Sequence, residues 1–244
     1  MENQYTRTSA LLGEDAVNKL KTCRVAVFGV GGVGSYTVEA LARAGVGQID
    51  IIDNDIFSIT NINRQLYATH KTLGEYKVDV AKDRILDINP DCIVKAHKLF
   101  YLPENSEQFD LSVYDYIVDA IDTVAAKVEL AVNAQKTDTP IISSMGTGNK
   151  LCPEKFEITD IYKTSVCPLA KVMRARLKKA GVKKLKVVYS KEQPVKPPVE
   201  KVQSLLSEED LAKRTIPGSN AFVPSVAGLV IAGEVIKDLV CQDS

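Results

Sequence analysis

Apolar residues recur in two alternating patterns along the first part of the chain. Short apolar runs predict buried strands at residues 24–29, 48–53, 92–96, 116–120 and 140–144. Between them, apolar residues spaced three or four positions apart predict helices at residues 33–44, 76–88 and 124–135. Because the strands are apolar throughout and alternate with helices, the pattern predicts an α/β fold. We expect a Rossmann-like, mostly parallel sheet flanked by helices.

The pattern changes after residue 148. A half-exposed strand is predicted at residues 156–161, a basic helix at residues 169–180 and a further strand at residues 185–189. They are followed by a proline-rich loop at residues 193–199, a short capped helix from Ser207 and a last helix after Pro224. We therefore describe residues 1–148 as the Rossmann-like part of the chain. Residues 149–244 form a C-terminal α+β elaboration of the same domain.

The composition is that of a soluble globular protein, with 45% hydrophobic and 25% charged residues. Its five cysteines are scattered and never form a Cys-x-x-Cys pair, so neither a disulfide framework nor a zinc site is predicted. The first residues lack the apolar run of a secretory signal, which together with the free cysteines predicts a cytoplasmic protein. Apolar residues 221–240 are interrupted by Glu234, Lys237 and Asp238. We expect a packed helix there and no stable membrane insertion.

The charges are distributed unevenly although the formal net charge is zero. Residues 171–201 contain eleven Lys or Arg residues and two acids, whereas the remainder contains 20 basic and 29 acidic residues. A basic segment attached to an acidic body predicts binding of a polyanion such as RNA. The alternative is that the charges only solvate a helix face.

A glycine-rich loop follows the first predicted strand and begins a predicted helix. It reads Gly29-Val30-Gly31-Gly32-Val33-Gly34. Gly29 permits a tight turn, Gly31 lets the backbone approach a phosphate, and Gly34 lets helix and strand pack closely. Asp53, at the end of the next strand, is placed to accept hydrogen bonds from ribose hydroxyls. So far the pattern equally fits a dinucleotide-binding oxidoreductase.

Cationic and amide side chains follow this loop where a nicotinamide enzyme usually needs none. Asn61, Arg64 and Gln65 lie just beyond the second strand, and Lys77 begins the next helix. An arginine fork and a mobile lysine charge suit the β and γ phosphates of a triphosphate. The alternative for either cation alone is a surface residue of a polar loop.

A carboxylate is placed to bind a metal ion beside these phosphates. Asp122 lies at the carboxyl end of a predicted strand, which is the edge where ligands bind in open parallel sheets. It is positioned to hold Mg²⁺. Asp119 lies within the strand, and we expect it to be a structural helix-cap or loop partner.

These motifs together resemble the adenylating domain of ubiquitin-activating-like enzymes. They are Tyr5-Thr6-Arg7, the loop of Gly29 to Gly34, Asp53-Asn54-Asp55, residues 61–65, Lys77 and residues 120–122. The resemblance implies attack of a carboxylate on ATP–Mg²⁺, which forms an acyl-adenylate and pyrophosphate. It assigns nucleotide binding to the glycine loop (Gly29, Gly31, Gly32 and Gly34), Asp53, Asp55, Asn61, Arg64, Gln65, Lys77 and Asp122, and the metal to Asp122. It also implies a homodimer in which Arg7 reaches the neighbouring subunit's site.

The second half narrows the resemblance. Residues 159–170 and 187–190 are similar to the tRNA threonylcarbamoyladenosine dehydratase branch of that superfamily. This branch implies adenylation of the threonyl carboxylate of the modified adenosine, followed by a ring closure that releases AMP. Arg7, Arg64, Lys77 and Asp122 are then the catalytic residues, and tRNA is the polyanion for the basic segment 171–201. A sulfur-transfer protein is a further candidate partner.

Three alternatives remain at this point. An enzyme that adenylates the C-terminal carboxylate of a small sulfur-carrier protein would share the whole ATP site, although such enzymes commonly carry paired Cys-x-x-Cys motifs. A nucleotide-regulated binding module and a nicotinamide oxidoreductase are the others. Cys167 lies where related enzymes use a reactive thiol, but the ring closure needs none, so we assign it a structural or ancillary role.

Overall fold

A computed structural model describes residues 2–196 and 217–241 of the chain. The helix predicted from Ser207 and part of the proline-rich loop lie outside the described residues. The strands are β1 (Arg24–Phe28), β2 (Gln48–Ile52), β3 (Ile93–His97), β4 (Tyr116–Asp119), β5 (Ile141–Ser144), β6 (Phe156–Asp160) and β7 (Lys186–Ser190). They form one sheet in the order β3-β2-β1-β4-β5-β7-β6, in which only the β6–β7 pair is antiparallel. The predicted α/β fold is confirmed.

Helices flank this sheet. They are α1 (Thr6–Leu12), α2 (Glu14–Thr22), α3 (Gly34–Ala44), α4 (Lys77–Ile88), α5 (Val124–Lys136), α6 (Pro168–Lys179) and α7 (Val223–Cys241). The sequence pattern did not predict α1 and α2. α1 buries no residue and α2 buries only Val17 and Leu20, so neither carries a long apolar stripe. The end signals of α2 are nevertheless present, with acids in its first turn and lysines in its last.

Strand side chains are buried on both faces of the sheet, which explains the continuous apolar runs. Val25 and Val27 of β1 belong to a core shared with α3, α4 and α7. Ala26 and Phe28 of the same strand belong to a second core, shared with α5. Within the described residues, no helix is long and apolar enough to span a bilayer. The apolar C-terminal segment is instead α7, which packs along α3.

The sheet topology determines where polar loops meet. Strand β1 lies between β2 and β4, and Phe28 is in register with both Ile52 and Asp119. Because these strands are parallel, the loops that follow them lie side by side at one edge. The strand order reverses at β1, because β2 and β3 lie on one side of it and β4 and β5 on the other. Open α/β sheets bind ligands at such a point.

Candidate nucleotide site at the carboxyl edge of the sheet

At two positions of the glycine loop, the surrounding backbone leaves no space for a side chain. Gly29 has φ +91°, and a Cβ there would lie 2.6 Å from the Ala120 carbonyl oxygen. At Gly34 a Cβ would lie 1.8 Å from the carbonyl oxygen of Gly29. Gly31 is different, since among the described residues a Cβ there would meet only Gln65 Nε2, at 3.9 Å. Gly29 and Gly34 therefore shape the turn, and Gly31 leaves the surface of the loop open.

The loop offers backbone donors to an anion. The N–H groups of Gly31, Gly32 and Val33 make no hydrogen bond to any of the residues that the structure describes. They precede the first turn of α3, where the helix dipole favours negative charge. Free N–H groups at a helix N-terminus form a phosphate-binding site.

Asp53 links the glycine loop to the end of β2. Its Oδ2 accepts a hydrogen bond from Val30 N at 2.7 Å, and its Oδ1 accepts one from Asp55 N at 2.8 Å. Each carboxylate oxygen keeps a second lone pair for a ribose hydroxyl. Burial raises the pKa of Asp53, and the positive charge of Lys77 opposes this shift.

Lys77 and Asp55 form an ion pair beside Asp53. Lys77 begins α4 and is only 5% exposed, and its Nζ lies 2.7 Å from Asp55 Oδ2. The Lys77 N–H also donates to the Asp55 carbonyl oxygen at 3.0 Å. Asp55 therefore fixes the ammonium group, which keeps two further N–H donors for a phosphate.

Arg64 is half-buried next to the loop. Its Nη1 donates to Thr60 O at 2.8 Å and to Asn63 Oδ1 at 2.9 Å. A Cβ at Gly32 would lie 3.5 Å from Arg64 Cγ, so the side chain passes beside the glycine loop. Burial lowers the pKa of the guanidinium group. Its remaining donors make no hydrogen bond to described residues, which leaves them for a phosphate.

The neighbouring amides differ in their roles. Asn61 Oδ1 accepts a hydrogen bond from Ser58 N at 3.1 Å and so caps the short 3₁₀ turn of Ile59–Asn61. Gln65 is 6% exposed, and its Oε1 is the one buried side-chain N or O atom without a partner among the described residues. A buried acceptor without a donor is costly, so Gln65 Oε1 indicates a ligand that donates a hydrogen bond.

Asp122 follows β4 at the same edge and is exposed. Among the described residues, its carboxylate accepts a hydrogen bond only from Thr123 Oγ1, at 3.3 Å. Within residues 2–196 and 217–241, no group of three or more metal-ligating side chains occurs. Mg²⁺ bound beside a nucleotide needs only one or two carboxylates, because phosphates and water complete its coordination. The donor set therefore fits the metal.

Below Asp122, Asp119 and Lys127 form a fully buried ion pair, with Nζ 2.9 Å from Oδ2. Asp119 also accepts a hydrogen bond from Ile121 N, which confirms it as a loop partner. Lys127 was not among the residues predicted from the sequence. The sequence signal that could have identified it is its helical spacing from apolar residues. Lys127 lies on the same face of α5 as the buried residues Leu130, Ala131 and Ala134.

Arg7 lies apart from these residues. Tyr5 anchors the N-terminal segment at Gly45, where a Cβ would lie 2.9 Å from Tyr5 Cε1. Gly45 ends α3 and the glycine loop begins it. A helix of this length spans about 16 Å, which is far longer than an arginine side chain. Tyr5, two residues before Arg7, is therefore held at the end of α3 that lies away from the glycine loop.

The basic segment divides into two groups of side chains. Arg174 bonds to Thr164, Lys186 pairs with Glu234 and Asp238, and Lys191 pairs with Glu157. The others on α6 and the loop after it are exposed and have no acidic partner among the described residues. We call this second group the basic patch: Lys171, Arg176, Lys178, Lys179, Lys183 and Lys184. Lys196, in the loop after β7, is exposed and belongs to neither group, and residues 197–201 of the segment lie outside the described residues.

Cys167 is 1% exposed and precedes α6. Its Sγ would lie 3.7 Å from a Cβ at Gly146 and packs in the small core beneath that helix. A thiol enclosed in this way is poorly placed to attack a substrate. This geometry agrees with the structural role expected from the sequence.

Known proteins resemble the chain over nearly its whole length. The profile of the ThiF family matches residues 4–243. The tRNA threonylcarbamoyladenosine dehydratase of Bacillus subtilis is 47% identical over 242 residues, covering 98% of this chain and 95% of the relative. The Escherichia coli protein of the same name is 39% identical over 175 residues, covering 72% of this chain and 65% of the relative.

Solved structures agree. A crystal structure of the Escherichia coli dehydratase in complex with ATP matches with a TM-score of 0.87 at 31% identity, over 98% of this chain and 95% of that one. Its complex with AMP gives a TM-score of 0.86. The predicted resemblance to the adenylating superfamily and to its dehydratase branch is confirmed. The chain belongs to the ThiF family.

Proposed function

We propose that this protein uses ATP to activate the threonyl carboxylate of threonylcarbamoyladenosine in tRNA and then closes a ring with loss of water. The observation that carries the proposal is the 47% identity to a dehydratase over 98% of the chain, which includes the C-terminal part. A sulfur-carrier enzyme would share the adenylating edge but would not call for the basic patch. We therefore favour the tRNA substrate.

The reaction proceeds in two balanced steps. A carboxylate oxygen attacks the α phosphorus of ATP, and the bond to pyrophosphate breaks. A carbamoyl heteroatom then attacks the activated carbonyl carbon and loses its proton. The bond between that carbon and the bridging oxygen breaks, and AMP leaves with this oxygen. Adenylation turns a poor oxide leaving group into a good one, and the internal nucleophile needs only to be positioned.

The residues at the edge of the sheet supply fixed positive charge for the first step. We assign the backbone N–H groups of Gly31 and Gly32 and the side chains of Asn61, Arg64 and Lys77 to the phosphates, while Gly29 and Gly34 give the nucleotide-binding loop its shape. Charges that are already held in place stabilise a developing pyrophosphate without reorganisation. Asp53 and Gln65 are assigned to the nucleoside, and Asp55 holds Lys77.

Asp122 is the proposed ligand of Mg²⁺. When bound, the metal ion would neutralise phosphate charge and orient the triphosphate. The support is that Asp122 is exposed and has no ion pair among the described residues, and that Ala120 and Ile121 just before it pack against the glycine loop at Gly29. The chain itself contributes the position of that carboxylate.

We also propose that two copies of the chain form a homodimer in which Arg7 serves the neighbouring site. The support is that Arg7 is exposed and held at the far end of α3 from its own glycine loop. An arginine from the second subunit would add charge to the leaving pyrophosphate.

The basic patch is the proposed contact for the tRNA backbone. Its six cations are solvated and free to meet phosphates, as electrostatic binding of nucleic acid requires. A cytoplasmic location and a sulfur-transfer partner remain expectations from the sequence.

The test is mass spectrometry of digested tRNA that carries threonylcarbamoyladenosine, after incubation with the protein and ATP–Mg²⁺. We expect a nucleoside lighter by one water together with AMP. Arg64→Ala should abolish both products, whereas Arg43→Ala, a surface arginine paired with Glu39, should not. An unchanged nucleoside and no AMP would reject the proposal. Pyrophosphate exchange with sulfur-carrier tails would then test the alternative.

A further inference from the structure

We infer that the buried Asp119–Lys127 pair positions Asp122 for the metal ion, which makes Lys127 a positioning residue of the adenylating site. The inference rests on the proposed function, because it assumes that ATP–Mg²⁺ binds at this edge of the sheet. Lys127 does not reach solvent, so it acts only through the backbone that leads to Asp122.

The pair is enclosed between two strands and a helix. Asp119 ends β4, Lys127 lies in the first turn of α5, and both side chains are 0% exposed. Ser143 of β5 completes the group, since its Oγ lies 2.5 Å from Asp119 Oδ2. Every charged atom of the pair therefore has a partner within the protein.

The pair holds Ile121 by both of its backbone polar groups. Ile121 N donates to Asp119 Oδ1 at 3.2 Å, and the Ile121 carbonyl oxygen accepts from Lys127 Nζ at 3.1 Å. That carbonyl shares a planar peptide group with Asp122 N. Fixing it determines the direction in which the backbone enters Asp122.

Stability alone explains this arrangement poorly. A buried ion pair loses much of its attraction to desolvation, and a well-packed apolar pair would often stabilise the fold as well. The Asp122 side chain is exposed and contacts only Thr123 Oγ1 through a hydrogen bond among the described residues. Its position therefore depends on the backbone that Asp119 and Lys127 clamp. Partners behind a metal ligand commonly set its affinity in this way.

The test measures the binding of α,β-methylene-ATP by calorimetry, once with Mg²⁺ and once with EDTA. We expect Mg²⁺ to tighten binding to the wild-type chain. Lys127→Met should lose roughly 10- to 100-fold of that tightening while binding in EDTA changes little. Lys127→Arg should retain most of it. Lys136→Met, which removes an exposed lysine from the same helix, is the matched control and should behave as the wild type.

Lys127→Met alone leaves a buried carboxylate unpaired, which destabilises the fold. The neutral double variant Asp119→Asn/Lys127→Met is therefore measured as well, and thermal melting confirms that each variant is folded. Asp122→Ala should remove the same Mg²⁺-dependent tightening, and adding Lys127→Met to it should cost nothing more.

Three results would overturn the inference: full tightening in folded Lys127→Met, additive losses when Lys127→Met is combined with Asp122→Ala, or no tightening in the wild type. Failure of the wild type to bind nucleotide under either condition is a separate result. It would reject the proposed ATP site itself.

Discussion

Two sets of cations on this protein differ in almost every physical respect. Lys77 is buried and bonded to Asp55, and Arg64 is half-buried and bonded to Thr60 and Asn63. The side chains of the basic patch are exposed and have no acidic partner in the described part of the chain. The first set is fixed and partly desolvated, which suits its proposed action at short range on the phosphates of ATP. The second set is solvated, which suits the proposed attraction of tRNA before contact.

This difference is the one expected between cations that take part in a reaction and cations that attract a large anion. Salt at physiological strength screens exposed charges beyond about 8 Å, whereas partly buried charges are screened much less. The nucleotide site should therefore respond weakly to salt and strongly to single substitutions. The basic patch should show the reverse.

The largest expected effect comes from a fixed cation. We expect Lys77→Met to slow AMP formation by roughly 100- to 1000-fold, the usual effect of removing one preorganised donor. Affinity for tRNA, measured by filter binding, should not change. Lys82→Met on the exposed side of α4 is the control. An equal loss of tRNA affinity in Lys77→Met would erase the distinction between the two sets.

The second prediction concerns the basic patch. Replacing Lys178, Lys179, Lys183 and Lys184 by Gln should weaken tRNA binding by roughly 30-fold and reduce the slope of log affinity against log salt by about 3. Affinity for ATP should stay the same. The measurement is a salt titration of tRNA binding, with exposed Lys82 and Lys136 replaced together as the control. An unchanged slope would place the tRNA elsewhere.

A third prediction uses pH. Burial raises the pKa of Asp53 above its ordinary value of 3.8, so acidification protonates this carboxylate earlier than an exposed one. Protonation removes an acceptor, and binding of adenosine, which has no phosphate to titrate, should weaken as the pH falls from neutral. Asp53→Asn should bind about tenfold more weakly at neutral pH and lose this dependence. The check is calorimetry across the pH range, and a pH-independent wild type would contradict it.

The smallest effect is expected from Lys186, which lies in the basic segment but not in the basic patch. It pairs with Glu234 and Asp238 of α7. Lys186→Met should change tRNA affinity by less than about twofold and cost about 1 kcal/mol of folding stability or less. Filter binding and thermal melting measure the two quantities. A large loss of tRNA affinity would show that position in the segment matters more than pairing.

The sequence predicted the parts of this molecule that depend on local pattern. Strand ends and the glycine loop were predicted because apolar runs and the spacing of Gly29 and Gly34 are local signals. The two N-terminal helices were missed because they bury little. Contacts between distant positions were also missed, such as Tyr5 against Gly45 and Lys127 with Asp119.

The basic segment shows the same limit. Counting charges predicted a polyanion-binding region, but the count treats Lys186 and Lys184 alike. Only the packing of β7 against α7 separates them, since it brings Glu234 and Asp238 to Lys186 and leaves Lys184 in solvent. One sequence contains no local signal for that pairing.

The packing of α7 on the glycine loop has a consequence for the order in which the protein becomes active. A Cβ at Gly32 would lie 3.2 Å from Pro224 Cβ, and one at Gly228 would lie 2.3 Å from Val33 O. The loop leaves the ribosome well before α7, which supports it and follows every other described element along the chain. A nascent chain thus carries the glycine loop long before it has the support. The glycine loop therefore gains its full packing only after α7 has been made and has docked against it.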